Sequence, residues 1–170
     1  TNSFANIENC LERLSNGIKI LKKNDLAWQA FQLTNEAMLM QRVNSGKAMG
    51  HQVTPQTVAW YPFQLAYILQ VIPDIVEEAS EWRDIVDLLW YPTGGGKTEA
   101  YLGLAAFTLF YRRLSLGKKS SGVTILMRYT LRLLTAQQFE RASSLICACE
   151  YLRHTKGIPG GEISIGLWVG

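Results

Sequence analysis

The residues with the most evident chemistry are Tyr91-Pro92-Thr93-Gly94-Gly95-Gly96-Lys97-Thr98. Three consecutive glycines let the backbone curl until successive N–H groups converge on an anion, an approach that Cβ atoms would obstruct. A helix opening at Lys97 adds the positive end of its dipole. In that geometry Lys97 reaches the terminal phosphates of a nucleoside triphosphate, and Thr98 offers its hydroxyl to Mg²⁺. The candidate nucleotide-contacting residues are therefore Thr93, Gly94, Gly95, Gly96, Lys97 and Thr98, with Lys97 and Thr98 in the catalytic roles and ATP with Mg²⁺ as cofactors. Glu99 adjoins them and joins the set, although a carboxylate there also suits the first turn of any helix. The general phosphate-loop pattern asks for glycine where Tyr91 stands. The strict form is thus missed by one residue, while Gly-x-Gly-Lys-Thr is kept.

Such a loop needs a strand before it and a helix after it. Val86 to Trp90 is a short apolar run, and a helix is expected from Lys97 to about Leu114. Val123 to Met127 is β-branched and apolar and reads as a strand buried on both faces. A long helix follows from Thr130 to about Arg153, then a turn at Gly157 to Gly161 and a last strand from Ile163 to Val169. Strand, helix, strand, helix, strand at this spacing predicts an α/β unit with a parallel sheet. Upstream the texture is helical. Phe4, Ile7, Leu11, Leu14, Ile18 and Leu21 fall at spacings of three and four. A second helix, capped by Asn24 or Asp25, runs to about Arg42. Residues 43–59 read as a linker, a third helix follows Pro62 and ends before Pro73, and a short acidic helix covers Asp74 to Trp82. The expected organisation is a helical region over residues 1–83 and an α/β unit over residues 84–170.

Composition bounds the function classes. With 170 residues, 48 % hydrophobic and 18 % charged, the chain is globular in type. Its longest weakly polar stretch is about 12 residues, too short to span a bilayer, and Thr1 to Asn9 lacks a signal-peptide pattern. Cys10, Cys147 and Cys149 make no disulfide framework, which points to a reducing, cytoplasmic setting. Cys147 and Cys149 fall on different faces of a helix and read as small hydrophobes. The net charge of +3 is uneven. Residues 1–111 carry eight Lys/Arg against eleven Asp/Glu, whereas residues 112–156 carry nine against two. That basic segment is either the footprint of a polyanion or a solvated helix face.

Pro92 to Ala100 resembles the first motif of superfamily 2 helicases of the DEAD/DEAH type, a group that tolerates a non-glycine at the place of Tyr91. Arg128 to Gln138 resembles the next motif of that group, and Tyr61-Pro62-Phe63-Gln64 resembles its glutamine motif. Pro62 to Ala66, Val86 to Ala106, Leu126 to Cys149 and Ile165 to Gly170 together resemble the large helicase subunit of the DISARM anti-phage defence systems of bacteria. The resemblance implies the first part of a RecA-like, ATP-binding helicase lobe, preceded by helices and cut before its acidic box. It implies ATP hydrolysis coupled to a nucleic acid, DNA first, with other defence-system subunits as partners. Gln64 would read adenine, and Arg128, Thr130 and Arg132 would contact the nucleic-acid backbone. The sequence departs from the group's pattern in two ways. Tyr61 stands where a basic residue often precedes the glutamine, and no Asp-Glu-x-His or Asp-Glu-x-Asp segment occurs. The fragment alone is therefore expected to bind ATP weakly and to hydrolyse it negligibly.

Other readings of the same residues are a small-molecule kinase or another nucleoside triphosphatase, and a non-catalytic nucleic-acid-binding module. Gln64 also fits a surface helix position. Phe63 and Tyr67, four apart, suit core packing better than base stacking.

Overall fold

A computed structural model describes residues 2–92, 94–129 and 132–168. Five α-helices organise them: α1 (Asn2–Lys23), α2 (Asp25–Ala48), α3 (Pro62–Val76), α4 (Lys97–Leu116) and α5 (Arg132–Thr155). Single 3₁₀ turns lie at Pro55–Thr57 and Gly117–Ser120. Local chemistry sets several of the ends. The Asn24 side chain accepts the Ala27 N–H at 3.0 Å and caps α2. Pro62 opens α3, where its missing N–H costs nothing. Gly117, at φ 53°, stops α4. α2 runs past Arg42 to Ala48, into the stretch expected to be linker.

α2 packs on α4 and α5, α1 on α3, and α3 on α4. Ile68, Ile72, Phe107, Phe110, Leu145 and Cys149 are fully buried where these helices meet. The hydrophobic cluster around them draws on residues both before and after Asp84.

The α/β architecture expected for residues 84–170, a RecA-like lobe built on a parallel sheet, is corrected by the structure. The described residues are helical with connecting segments, and none of them forms a strand. Residues 86–92, 123–129 and 162–168 pair with no neighbouring strand. A strand is a ladder, and ladder partners are a property of the whole chain rather than of an apolar run. Here side chains bind backbone groups in and beside the segments expected to be strands. Arg112 donates to the carbonyls of Ser121 (2.9 Å) and Val123 (3.2 Å). Arg113 donates to those of Gly161 (3.1 Å) and Glu162 (3.0 Å). The Ile163 N–H donates to the Glu150 carboxylate at 2.8 Å. Val86, Leu88, Trp90, Val123, Leu126 and Trp168 consequently face outward.

Two further expectations differ. Pro73 lies inside α3 rather than beyond it, and residues 77–85 form turns instead of an acidic helix. Because residue 73 is proline, the Leu69 carbonyl lacks its usual helical donor. α1 comes up against that carbonyl at Gly17, where a Cβ would lie 1.9 Å from the oxygen. On α1 the buried stripe is Arg13, Gly17, Ile20 and Leu21, while Phe4, Ile7, Leu11 and Ile18 are exposed. Arg13 reaches Asp87 at 2.6 and 3.0 Å and Asp74 at 2.7 Å, with Trp82 stacked 5.0 Å from its guanidinium carbon. This cluster ties α1 and α3 to the segment that leads into the glycines.

Candidate functional site

Gly94 and Gly96 sit at φ 80° and 89°, left-handed conformations that side chains disfavour. Gly96 is the N-cap of α4, so the loop delivers the backbone straight into a helix start at Lys97. Gly95 is required for another reason. Its Cβ would lie 2.6 Å from the Tyr91 ring and 3.0 Å from the Pro92 carbonyl. The Gly95 N–H donates to that carbonyl at 3.1 Å, which closes the turn. Lys97 and Thr98 are half-buried in the first turn of α4. The Lys97 ammonium donates back to the carbonyls of Tyr91 (2.5 Å) and Pro92 (3.2 Å).

Aromatic rings brace the loop. Tyr91 stacks on Phe63 with ring centroids 3.8 Å apart and planes 13° apart, and Tyr61 continues the stack at 6.3 Å. Tyr91 thus occupies the glycine place of the general pattern with a ring that anchors the loop to the start of α3. Phe63 stacks on the loop rather than packing with Tyr67, which meets Tyr101 edge-on.

Gln64 lies under the loop, 3 % exposed. Its Nε2 donates to the Gly96 carbonyl at 2.8 Å and its Oε1 accepts the Tyr61 N–H at 2.9 Å. Both functions of the amide are taken by the chain in this arrangement. A Cβ on Gly96 would approach Nε2 to 2.8 Å, so loop and glutamine fit one another closely.

Glu99, half-buried beside the loop, pairs with Arg141 of α5. Arg128 is exposed near the end of the 123–129 segment and lines an open groove of about 500 Å³ with Tyr101, Leu104, Ile125 and Met127. Thr93 and Thr130 lie outside the described residues. Arg132 begins α5, and its side chain also lies outside them.

Part of the basic segment is engaged within the fold. Of its nine cations, Arg112 and Arg113 hold backbone carbonyls. Arg141 is paired with Glu99, Arg153 with Glu150 at 2.6 Å, and Lys156 with Glu36 at 2.6 Å. Burial, reinforced by the Arg153 charge, lowers the pKa of the Arg113 guanidinium. The Arg153 hydrogen bond, against a smaller effect of burial, holds the Glu150 carboxyl below its usual range. Cys149 is buried, with its thiol pushed up to about 12 by burial, and is therefore inert, whereas Cys147 is exposed.

Sequence reasoning missed Arg13, Arg141 and the anchoring role of Tyr91. For Tyr91 a signal existed, since an aromatic in a glycine's place asks for a partner. The two arginines gave none, because their partners lie 74 and 42 residues away.

Among the described residues no group of three or more His, Cys, Asp and Glu could hold a metal ion, and no helix is long and apolar enough to cross a membrane. No family model matches the chain. The chain is similar to the DISARM protein DrmA of Bacillus paralicheniformis, with 46 % identity over 175 aligned positions. The match covers 94 % of this chain and 16 % of the relative. The link to a DISARM component read from the sequence is supported by this relative.

Proposed function

We propose that these residues form the nucleotide-phosphate-binding segment of a nucleic-acid-dependent ATPase, a helicase-type subunit of a bacterial phage-defence system. One observation carries the reading. Two left-handed glycines turn the backbone directly into the first turn of α4, where Lys97 and Thr98 stand. That combination of helix start, free-φ glycines and ammonium suits a polyphosphate. Similarity to DrmA supports the defence context.

The assigned role is binding. The loop amides and Lys97 take the β- and γ-phosphates. Gln64 and the Tyr61–Phe63–Tyr91 stack hold the loop in shape. The donor set gives Mg²⁺ one protein oxygen, the Thr98 hydroxyl, with phosphates and water supplying the rest. Water activation is not assigned to these residues, since the sequence holds no acidic helicase box. Arg128, Thr130 and Arg132 are the proposed contacts to DNA. With five of nine cations in the basic segment already engaged, the salt dependence of DNA binding should reflect only a few phosphate contacts. Other defence subunits and a cytoplasmic setting complete the proposal.

Lys97→Ala tests it. ATP binding measured by titration calorimetry should be lost in the variant while thermal unfolding is unchanged. Equal affinity of wild type and variant for ATP would overturn the assignment.

A further inference from the structure

The Glu99–Arg141 pair is not explained by stability alone. The Glu99 and Arg141 side chains are 24 % and 37 % exposed, and ion pairs so open to water add little to a fold. What sets this pair apart is its position. Glu99 stands in the first turn of α4, two residues after Lys97. Its carboxylate does not point away from the loop, since Oε2 lies 3.6 Å from the place of a Cβ on Gly96. A carboxylate there competes with any incoming anion for the same helix end, because both are drawn by the same dipole and repel each other. Arg141 arrives from α5, 42 residues away, and bonds that carboxylate. Burial raises the pKa of the Tyr129 hydroxyl, and the Arg141 charge opposes that rise.

We infer that Arg141 is a positioning residue for the phosphate site: by pairing with Glu99 it neutralises the carboxylate beside the loop, so that an anion can be accepted there. The inference rests on the phosphate-binding reading and adds to it a residue of α5 that does not itself touch the nucleotide. Without Arg141, Glu99 faces the loop uncompensated. Restoring neutrality by removing the Glu99 charge should then restore binding, although the ion pair itself is gone.

The test is a charge cycle on the full chain, with ATP and with inorganic triphosphate, a probe without a base. Arg141→Gln should weaken both affinities by roughly three- to tenfold, the effect of one unscreened charge near a polyanion at the edge of solvent. The loss should shrink as salt is added. The double variant Glu99→Gln/Arg141→Gln should return to within about twofold of wild type, since the uncompensated charge is gone. A purely structural bridge would behave otherwise, leaving the double variant as weak as the single. Failure of that rescue, or an Arg141→Gln variant that binds like wild type, overturns the inference. Lys97→Ala in the same assay separates the two readings. If it abolishes binding while Arg141→Gln does nothing, only the role of Arg141 fails. If wild type takes up neither probe, both readings fail together.

Discussion

Arg13→Ala should destabilise this chain more than most single changes. The side chains of Arg13 and Asp74 are 8 % and 9 % exposed, and that of Asp87 is 21 % exposed. The guanidinium makes three hydrogen bonds of 2.6, 2.7 and 3.0 Å to the two carboxylates. The pKa of Arg13 is raised, chiefly by its bond to Asp87 and against the cost of burial, so the charged form is the one the fold selects. Removing one partner of a buried ion pair costs about 3–5 kcal/mol, because the other charges stay buried and uncompensated. The partial exposure of Asp87 argues for the lower part of that range, about 3–4 kcal/mol. For a domain of this size that is a fall in Tm of about 6–16 °C. Far-UV circular dichroism during heating, together with urea unfolding, measures it. Arg13→Lys should lose about half as much, since it keeps the charge but not the fork that reaches both carboxylates. Adding Asp74→Ala and Asp87→Ala to Arg13→Ala should recover part of the loss, since the uncompensated carboxylates are then gone. A Tm change under about 2 °C in Arg13→Ala, well below the cost of a broken buried pair, would refute the reasoning. So would a triple variant no more stable than the single one.

Two further outcomes are expected. Gly17→Ala should destabilise by about 1–3 kcal/mol despite the better helix propensity of alanine, because its Cβ would meet the Leu69 carbonyl at 1.9 Å and α1 must shift off α3; an unchanged or higher Tm in thermal unfolding would contradict this contact. The depressed Glu150 carboxyl contributes stability that is present above its unfolded pKa of about 4.3 and is lost as the pH falls through the lower folded value. Glu150→Gln should flatten the fall in Tm below about pH 4, and a variant that keeps the full acid slope would rule this group out as its source.

What the sequence made legible was local. The capping role of Asn24, the helix start at Pro62 and the loop-to-helix turn at Gly96 are each decided by residues within a few positions. The α1 stripe was misread because pattern counting tracks apolar residues, whereas the buried face carries Arg13 and Gly17. One is buried because it is paired, the other because α3 comes too close for a side chain. The sheet was misread for a related reason. Val123 to Met127 has strand-like residues, but whether it joins a ladder depends on distant segments, and Arg112 holds its first carbonyl instead. Gln64 was marked as a functional residue by its motif, yet its contact with Gly96, 32 positions on, appears only in the fold.

The folded-back Lys97 has an energetic consequence. Its ammonium satisfies the carbonyls of Tyr91 and Pro92 and so acts as a tethered occupant of the loop it would serve. A polyphosphate arriving there exchanges hydrogen bonds rather than simply gaining them. Each bond Lys97 makes to phosphate then counts only for its excess over the carbonyl bond it replaces, so the net gain from the lysine is smaller than its charge alone suggests.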